Sequence, residues 1–456
     1  MSKKIKISFF GAAGTVTGSK FLLETPEHNI LIDSGMFQGL KELRLRNWED
    51  FPFPPEKIDT VLLTHGHLDH SGYLPRLVMQ GFKGPILGTS PTLAIAGIIL
   101  LDSAKIQEED AERANEEEYT KHFPALPFYN IEQAEKTITY FEKVAPDTWQ
   151  QLSDNIKFRL RKNGHILGAT FIELEVFGKI WVFSGDIGRK KDLLLEPPER
   201  PQWADFLIME STYGDRQHPV EDVDEILSSE IENTINTNGS LIIPSFAVER
   251  LQSLMLKLWQ LYKKNKIPNI PIFIDSPMGN QVLDVFERFP QWHTLEINEF
   301  QEMKKHFKII TSYKDTWKTV DYKRPKVVIA GSGMVTGGRV LTYLRYYLEK
   351  PETTVLLVGF QAEGTRGRQL LEGSQEIKIF GKYCQVKAKI THIDSLSAHA
   401  DQAELLEWAG EIKNVPEQVF LVHGEPHSRD ALRVKLQDTY KWKITSPNLN
   451  EEYSIY

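Results

Sequence analysis

The sequence predicts an α/β protein, and three observations carry that expectation. Apolar strands repeatedly end in a glycine-containing loop that bears a metal-ligand side chain. Between 215 and 385 the rhythm changes to alternating strands and helices, the pattern of a parallel sheet covered by helices. Hydrophobic residues make up 41% and charged residues 25%, ordinary for a chain that buries a full core, and 456 residues favour two or three domains over one.

Bulk chemistry narrows the classes. A single cysteine, Cys384, excludes an intrachain disulfide and a cysteine-based zinc site, and fits a reducing compartment. The net charge of -8 does not announce a nucleic-acid partner, so any basic surface must be local. The longest apolar run, near 93–101, is too short to span a bilayer, and the opening of the chain is soon glycine-punctuated and polar, unlike a signal peptide. A cytoplasmic protein with no membrane partner is expected.

Strands are expected at 4–10, 20–24 and 29–32, the last ending in Asp33-Ser34-Gly35. An aspartate there is often just a turn former; the alternative is a residue that orients a metal loop. The run Val61-Leu62-Leu63 reads as a buried strand and opens into Thr64-His65-Gly66-His67-Leu68-Asp69-His70-Ser71-Gly72, with a helix starting at 73–78. Imidazole and carboxylate donors together suit zinc. Alternate residues of an extended loop point the same way, so His65 and His67 can share one ion while Asp69 and His70 reach a second. Incidental polar residues would not be expected to crowd four ligand-type residues into six positions.

Residues 92–122 read as a helix whose acidic stretch (Glu108, Glu109, Asp110, Glu112 and Glu116 to Glu118) is a solvated face. A helix at 131–144 follows. The strand at 157–160 leads to Asn163-Gly164-His165, where the glycine lets His165 reach inward, a weak signal alone. The strand at 179–183 ends in Ser184-Gly185-Asp186; with two oxygens, Asp186 fits a ligand shared by two ions. The strand at 206–210 ends in Glu210-Ser211-Thr212-Tyr213-Gly214.

From 215 to 385, strands are expected at 240–244, 271–275, 326–330 and 354–358, with helices at 249–263, 278–289, 338–348 and 365–371. The loops after parallel strands share one edge, where ligands bind. They hold Ser245, Ser276, Gly331-Ser332-Gly333 and Gly359-Phe360-Gln361. The glycine run from Gly331 is not a dinucleotide fingerprint, because the third glycine would fall at Thr336, so no nucleotide cofactor is expected. Backbone N–H groups and helix N-termini there suit phosphate oxygens. Ser245, Gly333 and Arg339 are candidate substrate contacts, together with Ser397 further on. Arg250, Arg366 and Arg368 also stand at helix starts; their alternative is pairing with carboxylates.

The pattern H-x-H-x-D-H resembles the signature of the metallo-β-lactamase superfamily. E-S-T-Y-G resembles the first motif of its nucleic-acid-processing β-CASP family. Ser397-Ala398-His399-Ala400-Asp401, and His423-Gly424-Glu425 after the strand 418–422, resemble the second and third. This resemblance implies a metallo-β-lactamase αββα sandwich with an inserted β-CASP α/β domain of mainly parallel sheet. The sandwich would span 1–214 and 386–456, and the insertion 215–385. It implies two zinc ions per chain, the first on His65, His67 and His165, the second on Asp69, His70 and His423, with Asp186 bridging. It also implies His399, Glu210 and Asp69 as catalytic residues and an orienting role for Asp33.

A histidine in the third motif marks RNA-processing members, so His423 points to single-stranded RNA rather than DNA, and to the cleavage-factor group with its stand-alone prokaryotic relatives. The short stretches outside the motifs lead to the expectation that the extra domains of larger relatives are missing. The expected activity is zinc-dependent hydrolysis of RNA, endonucleolytic, leaving 5′-phosphate and 3′-hydroxyl ends, with His399 protonating the leaving oxygen. The alternatives are a 5′-to-3′ exoribonuclease, a small-molecule ester or thioester hydrolase on the same metals, and a non-enzymatic RNA-binding scaffold.

Overall fold

The computed structural model describes residues 4–117 and 124–455, which form two compact units. The first holds residues up to Asp192, Glu196–Gln217, and His399 onward; the second holds Leu193–Leu195 and His218–Ala398.

Two seven-stranded sheets build the first unit. One runs Glu451–Ile455, Ile5–Phe9, Phe21–Glu24, Ile30–Ile32, Thr60–Leu62, Ile86–Gly88, Phe141–Lys143; its first four strands are antiparallel neighbours and the pairing is parallel from Ile30–Ile32 onward. The other runs Ile444–Thr445, Gln418–Val422, Phe206–Glu210, Lys179–Phe183 in parallel, then Thr170–Val176, Ile156–Lys162, Gln150–Ser153 antiparallel.

Period-two alternation explains the layers. Ile7, Phe9, Leu23 and Ile32 of one sheet pack on Phe158, Ile172, Trp181 and Ile208 of the other, a dry core between the sheets. Their strand neighbours face outward onto helices. Leu22, Leu31 and Val61 meet Leu74, Leu77 and Leu93, while Val182, Leu207 and Leu421 meet Leu405, Trp408 and Leu432. The unit is thus an αββα sandwich.

Several elements differ from expectation. The helix at 131–144 is only Ile131–Ile138, and Phe141–Lys143 is a strand paired with Ile86–Gly88. The run Thr137-Ile138-Thr139-Tyr140-Phe141 is β-branched and aromatic, which favours that edge over helix continuation. The helix expected at 92–122 is Ser90–Glu116; positions 118–122, with Glu118, lie outside the described residues. The strand Thr170–Val176 was not expected. Its Glu173 pairs across the sheet with Arg159 and, at 3.7 Å, with Arg161.

The second unit is built on a six-stranded, wholly parallel sheet, ordered Lys308–Ile309, Ile272–Asp275, Lys326–Ala330, Ser240–Pro244, Thr353–Val358, Lys389–Ile393. Ile242, Val328 and Val355 pack under the helix Val340–Tyr347 and the hairpin Glu376–Ile379 with Lys382–Gln385. Leu241, Ile243 and Val327 point the other way and are equally buried, so both faces are covered. The helices Val223–Asn236, Ile297–His306 and Tyr313–Val320 and the strand Lys389–Ile393 were not expected. Among the described residues no helix is long and apolar enough to cross a membrane.

Lys326 is the unusual core residue of this unit. It is fully buried, and its Nζ donates to the carbonyls of Val320 and Tyr322 and to the Tyr347 hydroxyl, at 3.4, 2.6 and 2.7 Å. Burial lowers its pKa to about 8, from 10.5. Between those values the unfolded chain binds the proton that the folded chain has released, so stability rises with pH. The wild type is therefore expected to gain unfolding free energy relative to Lys326→Met as the pH climbs from about 8 to about 10.5, measured by urea denaturation at stepped pH.

Candidate metal centre

Strand direction gathers the site. Ile30–Ile32 and Thr60–Leu62 are parallel, as are Lys179–Phe183, Phe206–Glu210 and Gln418–Val422, so their C-terminal ends share an edge of each sheet. Asp33, His65, Asp186, Glu210 and His423 leave or end these strands at that edge. Three of the exits use a left-handed residue: φ is +58° at Asp33, +54° at Gly185 and +47° at His423. Such a residue turns the chain abruptly at the strand end. Asp69 and His70 sit on a single helical turn, Leu68–Ser71. Gly35 packs beneath it; a Cβ there would fall 1.6 Å from the Asp69 carbonyl oxygen.

Asp33 organises the histidine loop. Its Oδ1 accepts the Thr64 backbone N–H at 2.8 Å; its Oδ2 accepts the Thr64 hydroxyl at 2.8 Å and faces His70 Nδ1 at 2.7 Å. With Nδ1 committed, His70 presents Nε2 to the site. On the other sheet Asn163 donates to the carbonyls of Ser184 and Asp186, stapling the His165 loop to the Asp186 loop.

Two donor sets result. In the first, His67 Nδ1 lies 3.1 Å from His65 Nε2 and 3.3 Å from His165 Nε2, and both of those lie 3.5 Å from Asp186 Oδ2. Tetrahedral zinc with bonds of about 2.0–2.1 Å separates its ligands by roughly 3.3–3.4 Å, which these spacings match. In the second, Asp186 Oδ1 is 3.2 Å from His70 Nε2 and 3.5 Å from His423 Nδ1, and Asp69 Oδ2 is 3.3 Å from His423 Nε2. Each set could hold one ion, and Asp186 offers one oxygen to each. Its Oδ1 is buried without a hydrogen bond among the described residues, the condition a cation would relieve.

Electrostatics favours the deprotonated forms that ligands need at His65, His67 and Asp186. Burial drives His65 well below the usual histidine range and His67 down to about 4. Burial opposes the charge on Asp186, but His423, His70 and His65 outweigh it and hold its pKa well below the carboxylate range. His70 is also penalised by burial, yet Asp186 and Asp33 raise it well above the usual range. A metal cation facing Nε2 would answer the same negative field.

A third group adjoins these. His399 Nδ1 is 3.2 Å from Glu210 Oε1, and its Nε2 is 4.0 Å from Asp186 Oδ2. Glu210 is fixed by the backbone N–H groups of Ile187 at 2.6 Å and Thr212 at 3.2 Å. Burial opposes the charged imidazole, but Glu210 overrides it and raises the His399 pKa.

The ligand-type residues and the His399–Glu210 pair thus converge in the first unit. The expected substrate contacts Ser245, Gly333, Arg339 and Ser397 belong to the second. The loops that carry Ser245 and Gly333 are adjacent there: a Cβ on Gly333 would strike the ring of Phe246, next to Ser245, at 2.5 Å. Arg339 is engaged inside its unit by Thr316 and, at 3.7 Å, by Asp275. Arg250 donates to the Val358 carbonyl and Arg368 pairs with Glu372, both at 2.6 Å, so these arginines serve the fold. Sequence reasoning assigned no role to Ser19, 3.3 Å from His70 Nε2, or to Thr212, 3.1 Å from His423 Nδ1. Thr212 stood inside a quoted motif; Ser19 carried no signal beyond being polar at the head of a strand.

Residues 13–228 match the family model described as the metallo-beta-lactamase superfamily, 251–370 that of the Beta-Casp domain, and 383–447 that of a Zn-dependent metallo-hydrolase RNA specificity domain. A ribonuclease of Thermus thermophilus is 34% identical over 436 residues, covering 94% of this chain and 95% of that protein. A transcription termination factor of Methanosarcina mazei is 29% identical over 441 residues, covering 92% of this chain and 67% of that protein. A crystal structure of an Enterococcus faecalis protein of unknown function shares the fold at a TM-score of 0.53 and 12% identity, over 99% of this chain and 100% of that one.

The Asp33 clasp makes a prediction. Asp33→Ala leaves His70 Nδ1 and the Thr64 amide without their acceptor, so His70 no longer holds Nε2 at the site. Metal affinity should fall by about 10–100-fold, measured by competition with a chromogenic chelator.

Proposed function

Because this chain belongs to the metallo-β-lactamase superfamily, in its β-CASP branch, we propose that it hydrolyses phosphodiester bonds of single-stranded RNA at a pair of zinc ions. The observation that carries the proposal is Asp186, a buried carboxylate that turns one oxygen to each of two converging donor sets. The RNA-specificity match over 383–447, which includes His399 and His423, supports RNA as the substrate, as does the ribonuclease relative.

In this reading His65, His67 and His165 would hold the first ion, Asp69, His70 and His423 the second, and Asp186 would serve both. Their nitrogen and oxygen donors, without sulfur, suit zinc. Zinc bound there supplies Lewis acidity toward a phosphoryl oxygen and a water that ionises near neutral pH. The chain's own groups do the rest. Glu210 accepts from His399 Nδ1 at 3.2 Å, which fixes the ring and leaves Nε2 facing Asp186. The raised pKa keeps a proton available on that ring. As the water oxygen bonds to phosphorus and the P–O3′ bond breaks, Nε2 gives its proton to the departing 3′ oxygen. The products carry a 5′-phosphate and a 3′-hydroxyl. Asp69, with Oδ2 3.3 Å from His423, orients the attacking water through its other oxygen. Backbone groups around Ser245 and Gly333 remain proposed phosphate contacts, with Ser397.

A circular single-stranded RNA tests the mode of cleavage. Linearisation by wild type but not by Asp186→Ala is the expected result. An intact circle beside degradation of a linear 5′-phosphorylated RNA would make the enzyme an exonuclease. If both RNAs survived and a small ester or thioester turned over, the RNA reading would be wrong. Products ending in 2′,3′-cyclic phosphate would also sink the mechanism.

His399→Ala should lower the rate by about 10²–10⁴-fold while zinc content per chain, read by atomic emission, stays at the wild-type value. Loss of zinc together with activity would reassign His399 to the ligand set.

A further inference from the structure

The surface of the second unit carries a feature that the RNA-hydrolysis reading leaves unused. Tyr313, Trp317 and Tyr346 are exposed by 48%, 36% and 47% respectively, although large aromatic side chains are ordinarily buried. They are not scattered. Tyr313 and Trp317 stand one turn apart on the helix Tyr313–Val320, with ring centroids 6.1 Å apart; Tyr346, on the helix Val340–Tyr347, lies 5.2 Å from Trp317. The Tyr313 hydroxyl is 2.9 Å from the Thr342 hydroxyl, a bond that ties the two helices together under the rings.

The stretch of chain that carries Tyr313 and Trp317 has a net positive charge. From Lys308 to Arg324 the chain has five cations, Lys308, Lys314, Lys318, Lys323 and Arg324, against two acids, while the whole chain is at -8. All five cations are exposed. Of the acids, Asp315 is held by Lys318 at 2.7 Å and Ser312 at 2.6 Å. The Arg339 guanidinium lies 4.6 Å from the Tyr313 ring centroid, braced from behind by Asp275 and Thr316. Exposed aromatic rings interleaved with exposed cations are the chemistry of single-stranded nucleic-acid binding, in which bases stack on rings and phosphates pair with lysines.

We propose that Tyr313, Trp317 and Tyr346, with Lys314 and Lys318, form a stacking platform for single-stranded RNA on the second unit, separate from the metal ligands in sequence and in unit. The proposal rests on RNA being the substrate. A platform of this kind engages bases without sequence preference and contributes binding only to strands long enough to reach it.

The test uses the full chain and the double variant Trp317→Ala/Tyr346→Ala; both positions are exposed, and circular dichroism and thermal melting confirm that the variant is folded. Equilibrium anisotropy with a fluorescent 20-nucleotide oligouridylate, in chelator so that no cleavage occurs, should show Kd rising at least about tenfold. The metal-loaded variant should show a raised KM on the same RNA with kcat unchanged, and unaltered turnover of bis(p-nitrophenyl) phosphate. Unchanged Kd with normal RNA cleavage would overturn the platform and leave the ribonuclease reading standing. Weakened binding with no cleavage by either protein would support the platform and overturn the ribonuclease reading. Unchanged Kd together with dissociation of an oligomer in sedimentation would assign the rings to a contact between copies of this chain, which also overturns the proposal.

Discussion

Asp186 sets the terms for the first unit. A carboxylate this deeply buried costs several kcal/mol unless charge or strong donors face it. Here the facing groups are imidazoles, His65 and His165 at 3.5 Å on Oδ2 and His70 at 3.2 Å on Oδ1. They come from two separate loops, Thr64–His70 and the loop of His165, one from each sheet. The dry core between the sheets supplies the rigidity, because a shift of one sheet over the other would separate the Thr64–His70 loop from the Asp186 loop. The buried charge and the two-sheet core are one design: neither donor set closes without both sheets.

The chain meets that demand with strand ends. A strand delivers its last residue to a fixed point, and a left-handed residue just there turns the backbone sharply. Asp33 and His423 accept this conformation without being glycine, a strain found in only a few per cent of such residues. In both cases the side chain is hydrogen-bonded at once, Asp33 to Thr64 and His423 beside Thr212. Local strain and local hydrogen bonding offset each other at the two points where precision matters most.

Most of this architecture was legible in the sequence because ligand loops and strand ends leave local marks. The strands ending at Ile32, Phe183, Glu210 and Val422 announce themselves by apolar runs cut short by a polar residue. The side chains of the histidine loop, Asp186, Glu210, His399 and His423 stand together in the fold, although they span more than three hundred positions of sequence. What escaped was set by tertiary context. Phe141–Lys143 is a strand only because Ile86–Gly88 offers it an edge. Thr170–Val176 hides behind Glu173 and Glu175, whose charges are answered by arginine and lysine on the next strand. The arginines at helix starts looked available for phosphate, but the sequence does not display Asp275, Glu372 or the Val358 carbonyl as their partners.

That last point bears on how an acidic chain would hold a polyanion. Arg339, Arg250 and Arg368 are committed to acceptors within the second unit, so they contribute little free charge. The exposed cations are instead those of the stretch from Lys308 to Arg324, each a weak, salt-screened contact by itself. Rings supply what such lysines lack, because stacking does not fade with ionic strength and needs no fixed partner geometry. Arg339 joins the two modes: its anchoring by Asp275 and Thr316 fixes a cation over the Tyr313 ring. A chain carrying -8 can therefore engage nucleic acid without a broadly basic surface, provided that its aromatic residues remain exposed beside a locally basic stretch.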